Sequence, residues 1–591
     1  MKRLKFHKHQ HMLNWVLIRK MTSSKPSLFA REATGLVREI GFTLGVIIIL
    51  SHVVGLGWQK RAFQFSGPMP LPTDMMPLGL PAIFWAFLVC GLVVLVTGYT
   101  VGWVTSTMPR SGGGYVTISR VIHPFAGYIG GWMMFLAEAF SYGLIGVAVF
   151  EGIGIFFGIA LAPNVSLTWA GDPTILFLGG LVIVWIFALL GLLGTKLYGR
   201  LLQAMFYIPA IITVVFFVLW IAGAMNPDLI TGGLNTAMGA GPSTFTNLAI
   251  NTGMADHIPD FYQALSYALP GAFWAYMGWY ATTFLAGEVK EANKKLPMVL
   301  VVAGLLVIVV YLAASSLSAI ATMNVGTYTD LNGHQWSLFQ SYGWLSYGGV
   351  SSETISAQIP NFQGAWSTGI ASLISRGMGY DWLSLIVALG AVFWVANDIP
   401  PFLLVASRTF FAMSFDRMLP ESFAYVSEKW HAPVWAIIIT AVVAIPACIA
   451  ESNIGGWAGY LGFAGVVGTD IFDAFFLTLF CISAMLLPLR RKEIFERSAV
   501  KHSSGLVVTL GLLSTIGAGF CLYIFVSQSF GWLIPGSGFT GSFGDYTMDL
   551  SSCVGFFGLI IIGILAYLYY NQRNKSRGID MRTLFLSIPP E

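Results

Sequence analysis

The chain has 591 residues, of which 56% are hydrophobic and 10% charged, with a formal net charge of +4. Soluble domains carry about 25% charged residues, so this chain cannot cover a water-facing surface of its own size. Water is excluded as its main solvent.

Residues 1–36 are basic and polar and lack the short apolar core and small-residue cleavage site of a signal peptide. Twelve apolar stretches follow, at about 37–63, 79–104, 124–160, 173–195, 199–223, 266–287, 297–322, 381–408, 433–451, 455–487, 506–526 and 551–570. Each is long enough to cross a hydrocarbon core roughly 30 Å thick. Backbone in lipid must satisfy its own hydrogen bonds, and the period-two alternation of a β-barrel is missing, so the stretches are predicted as helices. The predicted fold is an all-α integral membrane protein of about 12 transmembrane helices. A core of ten helices covers 37–487, helices eleven and twelve lie in 488–570, and 571–591 form a tail. Two long loops, 224–265 and 323–380, fall on the outer side. The second is rich in Gly, Ser, Tyr and Trp; it caps an outer vestibule or acts as mobile filler. Asn164-Val165-Ser166 is a formal glycosylation triplet on the same side.

Lys and Arg positions predict the orientation. With a cytoplasmic N-terminus, every Lys and Arg except Lys60, Arg61 and Arg376 falls on the inner side, and an even helix count returns the C-terminus there. The net charge therefore reports topology, not a nucleic-acid partner. The expected location is the cell (plasma) membrane, multi-pass, with both termini cytoplasmic. Cys90, Cys448, Cys481, Cys521 and Cys553 sit in or beside apolar spans and read as small buried hydrophobes, not a disulfide framework.

Span one is interrupted by Ser51-His52-Val53-Val54-Gly55-Leu56-Gly57-Trp58. Five helices later, span six carries Ala275-Tyr276-Met277-Gly278-Trp279-Tyr280. Glycines at matching places suggest two five-helix repeats, about 37–223 and 266–487, of inverted topology, with broken first helices that hold a substrate near the midplane. A continuous helix has no free amide or carbonyl to offer a zwitterion. A broken one points N–H groups at a carboxylate from one half and carbonyls at an amine from the other. Close packing through small residues is the alternative.

Three further stretches bear on the family. The loop after span two reads Met108-Pro109-Arg110-Ser111-Gly112-Gly113-Gly114-Tyr115, followed by Gly127-Tyr128-Ile129-Gly130-Gly131-Trp132. Span six ends in Gly287-Glu288-Val289-Lys290-Glu291-Ala292-Asn293-Lys294-Lys295-Leu296-Pro297. After span eight comes Ser407-Arg408-Thr409-Phe410-Phe411-Ala412-Met413-Ser414-Phe415-Asp416-Arg417-Met418-Leu419-Pro420. Together these resemble the amino acid–polyamine–organocation superfamily, and within it the amino acid permeases. The resemblance implies a 5+5 inverted-repeat core with broken helices one and six. It departs at Gly55-Leu56-Gly57-Trp58-Gln59, where the family has Gly-x-Gly-Ile-Phe, and at Tyr280, near which many members carry an acid. Span five also lacks the lysine that some proton-coupled members use.

Ionisable residues at membrane depth are costly and therefore candidates for function. His52 precedes the first break. Asp398 lies in Trp394-Val395-Ala396-Asn397-Asp398-Ile399-Pro400-Pro401, where two prolines leave the carbonyls of Ala396 and Asn397 without amide donors. With Asn397 and Asp398 this concentrates oxygens suited to a proton or a hard cation, near the cation site that the resemblance implies. Alternatively, Asp398 caps the second half of a proline-broken helix. Glu138 in span three and Asp470 with Asp473, three apart in span ten, are read as gating or relay groups or as hydrogen-bond partners of helix backbone. Lys60 and Arg61 steer anions or snorkel to outer lipid phosphates, the second being the stronger reading, and Glu151 is placed at the outer headgroups.

No G-x-x-x-x-G-K-[ST], H-E-x-x-H, C-x-x-C or G-x-S-x-G motif occurs, so the sequence supports neither an ATP-driven pump nor an enzyme, and implies no cofactor. The expected function is a secondary active permease for amino acids, H+- or Na+-coupled or an exchanger. Backbone amides at Gly55, Leu56, Gly57 and Trp58 are expected to hold the substrate carboxylate, and carbonyls near Ser51, His52 and Tyr276 its amine. Trp274, Tyr276, Gly278, Trp279 and Tyr280 would shape the side-chain pocket. Tyr280 in place of an acid favours a neutral amino acid. The alternatives are a carrier of another organic amine or metabolite, a membrane-embedded enzyme, and a nutrient sensor that binds without translocating.

Overall fold

The computed structural model describes residues 34–161, 171–256, 258–530, 548–579 and 581–589. Asn164 and most of the basic N-terminal segment lie outside the described residues. Among those described, 11 helices are long and apolar enough to cross a membrane. In predicted order they are span one (Phe42–Gln64), two (Ala82–Thr107), three (Pro124–Leu161), four (Pro173–Gly191), five (Thr195–Met225), seven (Ala292–Met323), eight (Asp381–Phe415), nine (Val434–Ser452), ten (Val466–Arg490), eleven (Ser504–Ser529) and twelve (Leu550–Ser576). Span six completes the set. It divides into Phe261–Tyr276 and Ala281–Phe284, so neither piece alone crosses a bilayer.

Local chemistry sets the ends. Span four starts at Pro173 behind Asp172, whose carboxylate accepts the amides of Thr174 and Ile175. Span six opens with a capping box between Asp260 and Gln263. Span ten begins at Val466, later than the sequence predicts. Asn453, Gly455 and Gly456 all adopt positive φ and turn the chain out of helix first.

Spans three and eight form the central pair, and most of their residues face protein. Spans eleven and twelve are the least buried. The loop 323–380 is folded: a small hairpin (Tyr328–Thr329 with Gln335–Trp336) precedes helices Leu338–Tyr347 and Ser367–Gly377. The latter packs on the trailing half of span one, where the Thr368 hydroxyl donates to Gln59 Oε1 at 2.8 Å.

The predicted motifs meet at the basic end. Arg408 donates to Glu288 at 2.8 and 3.2 Å and to the Thr195 hydroxyl at 2.9 Å, tying spans eight, six and five. Arg120 grips Asp416 with two bonds, 2.6 and 2.8 Å, and the Tyr115 hydroxyl adds a third at 2.9 Å. The glycine run explains itself at this point. Gly112 and Gly113 both have positive φ, and a Cβ on them would lie 2.3 Å from Ala412 and 2.7 Å from the Thr283 carbonyl.

Removing one partner of a buried ion pair strands the other. Arg408→Leu is expected to cost about 3–5 kcal/mol, seen as a lowered thermal midpoint in detergent. Arg408→Leu with Glu288→Leu should recover much of that loss.

Candidate functional site

The two broken spans cross. Span one unwinds at Val54 and Gly55, between helices Phe42–Val53 and Leu56–Gln64. Span six unwinds from Met277, with Gly278 at φ +87°. A Cβ on Gly278 would stand 2.3 Å from the His52 ring, and one on Gly57 would stand 2.7 Å from the Ala275 Cβ. Both glycines are therefore needed for the crossing. The Tyr311 hydroxyl of span seven lies 2.5 Å from the Val53 carbonyl and 2.6 Å from that of Ala275. Its single proton serves one carbonyl at a time, so the two breaks share a donor.

Span eight grips the first break from the side. Asn397 donates to the Ser51 hydroxyl at 2.8 Å, on the leading half. Asp398 Oδ2 accepts the Leu56 amide at 3.3 Å, at the start of the trailing half. Gly55, the residue at the cap position, has no side chain to offer, so Asp398 caps this helix from another span. Gln59 completes the grip, donating to the carbonyls of Gly55 (3.0 Å) and Ala391 (3.2 Å). Span eight itself runs unbroken through Pro400 and Pro401, so Asp398 does not cap a second half of its own helix. Proline φ suits a helix, and the two missing donors are tolerated inside a packed bundle.

Beside the clamp is a small cavity of about 40 Å³, lined among others by His52, Gly57, Glu138, Trp274, Asp398, Asp470 and Asp473. That is room for a water or two. His52 Nε2 lies 3.4 Å from Glu138 Oε2. The Tyr280 hydroxyl donates to Asp473 of span ten. Asp470 lies within Coulombic reach of both Asp473 and Arg61. Among the described residues, Asp398 Oδ1 and Asp470 Oδ2 are buried without a hydrogen-bond partner. No group of three or more His, Cys, Asp and Glu among them is placed to hold a metal ion.

Leu144, Ile145 and Trp274 line both this cavity and a vestibule of about 810 Å³ at the end opposite the Arg408 and Arg120 pairs. Lys60 and Arg61 line this vestibule, contrary to the lipid-snorkelling reading. Lys60 pairs with Glu151 at 2.9 Å, which places Glu151 in the vestibule wall. The Arg61 guanidinium lies 3.9 Å from the Trp274 ring centre.

The structure does not gather all the aromatic candidates. Trp274 faces the cavity, but the Tyr276 hydroxyl turns to the Phe87 carbonyl of span two at 3.1 Å, and Trp279 lies against Gly98. Trp58 is buried beside Phe216 and Trp220 of span five. Side chains at i and i+3 or i+4 share a helix face, and that rule fails where the backbone unwinds at Gly278. Tyr311, a tyrosine in an apolar helix, carries no motif in the sequence.

Fold and site together define an all-α, multi-pass membrane protein with two broken spans crossing beside a small cavity. The chain belongs to the amino acid permease family, whose model matches residues 45–559. It is similar to the serine/threonine exchanger SteT of Bacillus subtilis (24% identical, covering 48% of this chain and 54% of that protein). It is also similar to the mouse b(0,+)-type amino acid transporter 1 (24%, covering 51% and 54%). The branched-chain amino acid permease BcaP of Bacillus subtilis matches at 22% identity over 91% of this chain and 94% of its own. The first two matches span about half the length of those relatives. The family comprises permeases, not enzymes.

Gly57→Leu cannot be accommodated against Ala275. It is expected to abolish amino acid binding while membrane insertion stays intact, measured by ligand-induced thermal shift on purified protein and by membrane fractionation.

Proposed function

We propose that the chain is a secondary active transporter that moves amino acids across the cell membrane by alternating access, with both termini cytoplasmic and the vestibule facing out. One observation carries this reading: the small cavity at the two breaks lies between an 810 Å³ vestibule, with which it shares Leu144, Ile145 and Trp274, and buried ion pairs at the other end. A carrier must close one side while the other is open, and this asymmetry fits one such state. The basic residues around the closed end fit a cytoplasmic face.

The substrate carboxylate binds at the amide end of Leu56–Gln64, and its ammonium faces the carbonyls that share Tyr311. Leu144, Ile145, Trp274, Met277 and Phe402 give the cavity an apolar wall, which supports a neutral side chain. Serine, threonine and branched-chain amino acids, named for two of the relatives, are neutral as well. Asp398 couples transport to an ion, H+ first and Na+ second, because it is the carboxylate that holds the break. A carrier of another organic amine is the second reading, favoured by the four carboxyl groups around the cavity.

Uptake into proteoliposomes tests the reading. The unmutated protein should accumulate a neutral amino acid under an imposed pH gradient, inside alkaline, and 1,4-diaminobutane should not compete. Asp398→Asn should lose gradient-driven accumulation and retain exchange. Accumulation at the unmutated level by Asp398→Asn would place coupling elsewhere, and competition by the diamine would favour the organic amine.

A further inference from the structure

The amide end of Leu56–Gln64 is where an amino acid carboxylate is expected, and in the structure a carboxylate is already there. We propose that Asp398 is a tethered stand-in for the substrate's carboxylate, and that an amino acid binds by displacing it from the Leu56 amide. This rests on the transport reading above and adds a residue that sets affinity and specificity.

Three observations carry it. Asp398 Oδ2 accepts the Leu56 amide, and the group is so close to the break that a Cβ on Gly55 would lie 1.8–2.1 Å from its carboxylate atoms. The carboxylate therefore fills the space that glycine leaves for a ligand. Second, the contact is loose: 3.3 Å lies just beyond the roughly 2.7–3.2 Å of an ordinary N–H···O bond, and Oδ1 is buried with no hydrogen-bond partner among the described residues. A side chain anchored on span eight reaches the amide with one oxygen. A free carboxylate can align both oxygens along the exposed amides of a helix start. Third, Asp398 is 4% exposed and lines the cavity, so the carboxylate already faces the space from which a ligand would reach the break.

The consequence is a competition within the site. Without substrate, Asp398 keeps the Leu56–Gln64 amide end satisfied, which lipid cannot do. A ligand must offer a carboxylate to replace it, because a carboxamide or a simple amine leaves Asp398 in place and meets an occupied amide. The requirement for an α-carboxylate thus comes from a residue that no substrate contacts at the start of binding. A purely structural cap behaves in the opposite way: its removal loosens the helix end and weakens any ligand bound there.

Equilibrium binding to the purified full-length protein separates the two. L-Alanine, L-serine and L-leucine, each paired with its carboxamide, are titrated against unmutated protein, Asp398→Ala and Asp398→Asn, with gel filtration and thermal midpoint as folding checks. A tethered competitor predicts that Asp398→Ala binds the amino acid about tenfold more tightly, with no gain for the carboxamide. Asp398→Asn keeps the size but not the charge and gains less, about threefold. Unchanged or weaker binding by folded Asp398→Ala overturns the proposal and leaves Asp398 a cap, whatever the protein transports. If Asp398→Ala does not fold, the absence of any gain in Asp398→Asn is decisive against it. Binding of none of the amino acids by any of the three proteins overturns the transport reading, and this inference with it.

Discussion

A helix broken inside a membrane exposes amides and carbonyls that lipid cannot satisfy, and much of the centre of this molecule is organised around satisfying them. The means is a set of side chains from spans that are themselves continuous. Asp398 of span eight accepts an amide at the first break, Asn397 beside it holds the Ser51 hydroxyl of the leading half, and Tyr311 of span seven bridges a carbonyl from each broken span. Gln59, just past the break, ties the trailing half back to span eight. These partners are few. A break held this way is ordered at rest and can still release.

The same principle separates the two ends of the molecule. At the basic end the partners are full charges: Arg408 with Glu288, and Arg120 with Asp416, in bidentate geometry and nearly without solvent. Opening there costs several favourable contacts at once. At the other end Lys60 and Glu151 form a partly exposed pair across a wide vestibule, and Arg61 lies on Trp274. Partly exposed pairs contribute little. The expectation that follows is unequal barriers, with the vestibule side yielding first.

Much of this was legible in the sequence, for identifiable reasons. Span positions follow from apolar length, and the breaks from glycines at matched places; both depend on the chemistry of a local stretch. The Ser407–Pro420 motif and the Glu288 run were also readable, but not the fact that Arg408 and Glu288 pair, since that joins residues 120 positions apart. Reading two prolines as a break failed, because a tightly packed span tolerates them. The aromatic pocket was only partly readable. Tyr276 and Trp279 flank Gly278, and the turn at that glycine sends their rings to span two. Tyr311 and Gln59 lacked any local signature, and their roles exist only once distant spans are brought together.

If transport requires the halves of span one to move, the grip of span eight must open during each cycle. A cysteine pair, Ser51→Cys with Asn397→Cys, replaces the 2.8 Å contact at the leading half with a link that can be closed by oxidation and reopened by reductant. The measurement is amino acid uptake in proteoliposomes with the link verified by mass spectrometry. Loss of uptake on oxidation and its return on reduction is the expected result. Uptake at the unmutated rate with the link intact would show that span eight stays joined to the break throughout, and would contradict a releasing clamp.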